Sequence, residues 1–150
     1  MKRIISHSNL RFFLISILIL LIFVRCDDNE IPFPNVSVYT ILSVDTQLGN
    51  ILPQNYVEID GYGIGGLIIY RVNNNSFLAF DRACTYEASP SCILQESDEY
   101  IGIFDCPCCG SGFWMIGEDI PGTVQQGPAN VPLKQYRCFF NGANSVTVTN

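Results

Sequence analysis

The sequence predicts an all-β domain of small barrel or sandwich type. Past residue 26, short runs rich in β-branched and aromatic residues alternate with Gly, Asn and Pro punctuation. No window in that region sustains a helical period, and no internal repeat is visible. The size agrees: 150 residues, 48% hydrophobic and 15% charged, suit one compact domain. The predicted strands are 36–44, 56–60, 67–72, 77–80, 100–104, 112–116, 133–140 and 146–149. Asn73-Asn74-Asn75-Ser76 reads as a hairpin turn between the third and fourth. Gly61-Tyr62-Gly63-Ile64-Gly65-Gly66 fits a GxGxxG string, but a β-branched run, Leu67-Ile68-Ile69-Tyr70, follows it. A dinucleotide site needs a helix N-terminus there to meet the pyrophosphate, so these glycines read as a turn entering a strand.

The N-terminal segment reads as an address. Lys2, Arg3 and Arg11 precede an apolar run over 12–24, interrupted only by Ser16. Thirteen residues are short of the roughly 20 that span a bilayer and fit the 7–15 of a signal-peptide core. Phe23-Val24-Arg25-Cys26 then leads into Asp27-Asp28-Asn29-Glu30, and this resembles a bacterial lipoprotein signal in which Cys26 is acylated. The acidic stretch resembles the surface-export tether of Bacteroidetes-type lipoproteins. Arg25 departs from the small residue usual before the cysteine. The expected organisation is a signal peptide over 1–25, an acidic tether over 26–35 and a β domain over 36–150. The resemblance implies a lipid anchor in the cell envelope, on the periplasmic face or the cell surface.

Loss of residues 1–25 would remove four bases and no acid, taking the net charge from −6 to −10. So acidic a chain excludes nucleic acid as a partner. His7, the one histidine, would leave as well, and no serine–histidine hydrolase can then be assembled. Six cysteines would remain in the domain: Cys84, Cys92, Cys106, Cys108, Cys109 and Cys138. An even set outside the cytosol suggests disulfides, with 15 connectivities open for six cysteines.

The cysteines form two clusters, each at the end of a predicted strand and so on a loop. One is Cys84-Thr85-Tyr86-Glu87 with Cys92; the other is Cys106-Pro107-Cys108-Cys109-Gly110-Ser111. Two such loops can make a metal or iron–sulfur site, or a pair of disulfides. Here the sequence resembles the Rieske iron–sulfur family over about residues 61–149. Three blocks carry the resemblance: Ala79-Phe80-Asp81 leading to Cys84; Cys106 to Ser111 with Phe113; and the proline-containing stretch from Gly127-Pro128-Ala129 through Pro132-Leu133 to Tyr136.

The resemblance implies cofactor roles residue by residue. Cys84 and Cys106 match the two cysteine ligands, while Tyr86 and Cys109 stand where the family has histidines. Cys92 and Cys108 match a bridging disulfide. Ser111 matches a hydrogen-bond donor to a bridging sulfide, and Phe113 stands where a tyrosine with a similar role is common. A histidine-free domain lacks the Cys₂His₂ set of a Rieske centre. A 2Fe–2S cluster held by Cys84, Cys106, Cys109 and one more group (Tyr86, Glu87 or an unbridged Cys108) would be low in potential, since all-thiolate plant-type clusters lie near about −400 mV. The implied function is single-electron transfer to a redox partner protein rather than enzymic turnover.

Two alternatives stay open: a cofactor-free, disulfide-stapled fold acting as a binding or structural module, and a zinc–thiolate site. Cys138 reads as a buried apolar thiol. Trp114 and the ten phenylalanines read mostly as core and strand-face residues. Asp98, Glu99, Glu118 and Asp119 read as solvated acidic surface rather than paired catalytic carboxylates.

Overall fold

The computed structural model describes residues 33–117 and 120–150. The signal segment and Cys26 lie outside the described residues, as do Glu118, Asp119 and most of the tether. Among the described residues there is no helix, and ten strands follow one another in the chain. They are β1 (Tyr39–Ser43), β2 (Asn55–Ile59), β3 (Leu67–Asn73), β4 (Ser76–Asp81), β5 (Gln95–Glu96), β6 (Ile103–Asp105), β7 (Gly112–Trp114), β8 (Val124–Gln126), β9 (Gln135–Phe140) and β10 (Ser145–Thr149). The all-β expectation holds.

A six-stranded antiparallel sheet runs β1-β10-β9-β4-β3-β2, and a four-stranded one runs β5-β6-β7-β8. The large sheet curls on itself, because Leu42 of β1, Leu67 and Ile69 of β3, Ala79 of β4 and Val146 and Val148 of β10 share one core. Residues alternate in β3: Leu67 and Ile69 enter that core, whereas Ile68 faces a second one. A strand buried on both faces reads as a continuous apolar run, which explains Leu67-Ile68-Ile69-Tyr70. The Asn73–Ser76 hairpin forms as expected, with a register shift between Arg71 and Asn73.

The second core seals the small sheet onto the outside of β3 and β4. Ile68 and Phe80 meet Leu94, Phe104, Phe113 and Met115 there, and Cys84, Cys92 and Cys106 belong to the same cluster. The small sheet and its loops lie in the chain between β4 and β9, which are hydrogen-bonded neighbours at Ala79↔Tyr136 and Phe80↔Gln135.

The glycine string is a turn, and its use is electrostatic. Asp81, fully buried at the end of β4, accepts the N–H groups of Ile64 (2.8 Å) and Gly65 (2.9 Å) from that turn. It also accepts the Ala83 N–H (2.9 Å) and the Tyr136 hydroxyl (2.8 Å). Each oxygen thus takes two donors, the compensation that a buried carboxylate requires. Gly63, at φ +64°, lies so close to Asp81 that a Cβ there would strike the carboxylate.

Candidate metal centre

Two loops carry the thiols, and local hydrogen bonds shape each. After β4, Ala83 pairs with Ile93 in an isolated bridge. The Cys84 N–H donates to the Cys92 carbonyl (3.1 Å), and the Ala88 N–H closes a turn onto the Cys84 carbonyl (2.7 Å). After β6, the Cys106 N–H donates to the Ser111 carbonyl (2.8 Å) and the Gly110 N–H to the Cys106 carbonyl (2.9 Å). This ring of bonds holds 106–111 as a closed turn before β7. Cys92 and Cys108 are joined by a disulfide with 5.7 Å between Cα atoms, as the family resemblance implied.

The proline loop forms a third wall, in which the Gly127–Pro128 peptide is cis. The Thr85 hydroxyl donates to the Val131 carbonyl (3.0 Å), and the Gln126 amide donates to the Gly110 carbonyl (3.1 Å). The Ala129 N–H donates to the Ser111 hydroxyl oxygen (2.8 Å).

The sulfurs of Cys84, Cys106 and Cys109 all lie within 4.8 Å of one another. Cys84 and Cys109 are 3.6 Å apart, and the Ser111 hydroxyl is 3.1 Å from the Cys109 sulfur. Because the Ser111 oxygen already accepts from Ala129, its proton is free to point at Cys109. Cys84 and Cys106 are buried, while Cys109 is partly exposed.

The environment treats these thiols differently. Burial pushes Cys84 up to about 12, only partly relieved by the Glu87 and Tyr86 backbone N–H groups donating to its sulfur. Burial alone would also raise Cys109. Hydrogen bonds from the Ser111 hydroxyl and backbone N–H and from the Cys106 and Cys84 thiols outweigh it, and the thiol sits below its ordinary value. One easily ionised thiol beside a reluctant one suits a site where an arriving cation displaces protons.

The other expected ligands fare less well. Tyr86 lies on the turn beside Cys84 with its side chain 48% exposed. Among the described residues no further His, Cys, Asp or Glu joins the trio, so neither Glu87 nor bridged Cys108 stands as a fourth ligand. Phe113 is fully buried in the second core, where it serves packing. Cys138 packs against the first core, away from the trio, but is only partly buried there rather than the buried thiol expected. Burial pushes it up to about 12. Native Cys138 should therefore resist iodoacetamide at pH 8 and react only after unfolding, which peptide mass mapping would read. Asp98 and Glu99 are exposed, as expected of solvated acids. Sequence reasoning missed the role of Asp81; an acid closing an apolar strand, one hairpin after a glycine-rich turn, is the signal that could have found it.

No protein-family model matches the chain, and no curated protein matches it. Among solved structures, it is similar to a chain of a complex of reduced oxygenase and oxidised ferredoxin in carbazole 1,9a-dioxygenase. That match has 21% identity, covers 75% of this chain and 93% of the other, and has a TM-score of 0.46. A ferredoxin of Sphingomonas yanoikuyae B1 matches at 17% identity over 77% and 99% of the two chains, with a TM-score of 0.45. A putative NADH-dependent nitrite reductase small subunit from Mycobacterium tuberculosis matches at 15% identity over 77% and 97%, with a TM-score of 0.42.

A two-iron cluster fits this donor set poorly. It needs four terminal ligands, two on each iron, so ligands of one iron stand across the cluster from those of the other. Three sulfurs all within 4.8 Å of one another stand closer together than ligands on opposite irons would.

Proposed function

We propose that this chain is an envelope-anchored metal–thiolate protein, a Rieske-like domain that binds metal through Cys84, Cys106 and Cys109. The observation that carries the reading is the convergence of those three sulfurs within 4.8 Å. The neighbouring Cys92 and Cys108 are consumed by a bridge that ties the two loops together. Soft thiolates packed this closely suit zinc or iron. The lipid anchor at Cys26 rests on the N-terminal sequence alone.

The test is the metal content of the full-length chain purified without oxygen, together with its count of reactive thiols. Metal in a fixed ratio to protein, with the trio protected from alkylation, supports the reading. A metal-free protein that takes up no ion when reduced overturns it. Visible absorption with iron and acid-labile sulfide would make the domain the low-potential electron carrier that the family resemblance implies.

Ser111 is a positioning residue in this scheme, holding Cys109 through its hydroxyl and the third loop through Ala129. Ser111→Ala should weaken metal binding by about 10–100-fold, the usual effect of losing a group that orients a ligand. The thiolate-to-metal absorption bands should shift as well, which a merely structural role would not produce.

A further inference from the structure

The distances among the three sulfurs describe one ion. We propose that Cys84, Cys106 and Cys109 hold a single thiophilic divalent ion of the zinc class, with the fourth tetrahedral corner taken by an exchangeable ligand. The inference rests on the metal–thiolate reading above and specifies its occupant.

A zinc–sulfur bond of about 2.3 Å in a tetrahedron places neighbouring sulfurs about 3.8 Å apart. Cys84 and Cys109 stand at 3.6 Å, and no pair in the trio exceeds 4.8 Å. For two irons, at least one sulfur must withdraw to the far side of the cluster. The Cys109 turn is held against such movement at three points. Ser111 caps the Cys109 sulfur while bound to Ala129, the Cys106 N–H is bound to the Ser111 carbonyl, and Cys108 is bridged to Cys92.

Charge points the same way. Three thiolates around one divalent ion leave a net charge of about −1, a tolerable load for a half-buried site. Closed structural zinc sites use four protein ligands, whereas sites with three keep a position for water or another small ligand. Among the described residues no further His, Cys, Asp or Glu joins the trio, and its partly exposed member is Cys109. The open corner therefore lies on the Cys109 side, and an exogenous thiol or small anion can enter there.

The experiment loads the chelator-stripped full-length protein with Co²⁺, a spectroscopic stand-in for zinc. The expected result is one Co²⁺ per chain, visible bands of a tetrahedral thiolate site, and stoichiometric displacement by Zn²⁺. Adding azide or 2-mercaptoethanol should shift those bands. Cys109→Ser should weaken Co²⁺ binding by about tenfold or more and remove one thiolate's share of the charge-transfer intensity. Its fold is checked by an intact Cys92–Cys108 bridge and an unchanged near-ultraviolet spectrum. Cys138→Ser should leave the bands unaltered. Two irons with two sulfides per chain would overturn the single-ion inference while sparing the metal–thiolate reading. Bands indifferent to azide and thiol would overturn the open corner. Failure of the reduced protein to bind Co²⁺, Zn²⁺ or iron would overturn both.

Discussion

Asp81→Asn is expected to lower the unfolding free energy by about 3 kcal/mol, one buried donor left unsatisfied costing about 1–3 kcal/mol with the loss of charge-assisted bonds added. The carboxylate has no waste capacity: Oδ1 takes Gly65 and Ala83, and Oδ2 takes Ile64 and Tyr136. An amide must turn its NH₂ toward one of those pairs. Turned toward Oδ2's partners, it can donate to Tyr136, whose hydroxyl rotates, but it then faces the Ile64 N–H donor to donor. Turned the other way, it opposes two backbone N–H groups. Asp81→Ala removes all four acceptor contacts and should cost more, while Tyr136→Phe removes one and should cost about 1 kcal/mol. Urea unfolding of the three variants reads the series. A loss below about 1 kcal/mol for Asp81→Asn would show that the carboxylate is not what holds the turn. Because Ala83 precedes Cys84, metal affinity should fall along with stability.

The second large effect concerns the bridge. The Cys92→Ser, Cys108→Ser double variant should lose about 3 kcal/mol, the chain-entropy value for a cross-link closing about 15 residues. The two cysteines are separated by 16 positions. The loss should not stop at stability. Cys92 ends the loop that carries Cys84, and Cys108 sits between Cys106 and Cys109, so the bridge presets the distance between the two halves of the trio. Without it, metal must order both loops as it binds, and affinity should drop. Titration calorimetry with Zn²⁺ beside urea unfolding would measure both. Unchanged affinity in a destabilised variant would assign the bridge to the scaffold alone.

Much of the fold was legible because its strands announce themselves. β3 opens on the buried run Leu67 to Tyr70 and β10 alternates, so pattern alone marks them. β5 and β8 escaped notice: Gln95–Glu96 and Val124–Gln126 are short, mostly polar and exposed, and they are strands only because β6 and β7 offer partners. The run predicted at 100–104 starts late, at Ile103, because Gly102 turns at φ +75° and leaves Ile101 88% exposed. In the site, residue type and spacing singled out Cys84, Cys106 and Cys109. Their mutual distances were not legible, because Cys84 and the Cys106 loop are brought together by the Ala83–Ile93 bridge, the β5–β6 pairing and the Cys92–Cys108 disulfide, none of them local in sequence. Likewise, the acid at the end of an apolar strand was visible in the sequence, but not that Asp81 collects donors from positions 64, 65, 83 and 136.

The pairing of β4 with β9 has a consequence for how such a site changes over time. The chain departs the large sheet after Asp81 and rejoins it where the Asp81 N–H meets the Lys134 carbonyl, at 2.8 Å. Everything between is an excursion with its two ends clamped side by side, and every thiol of the trio is on it. Such a cassette can change the side chains that would hold a metal while the frame that carries it keeps its own strands, its own core and its own reasons to fold.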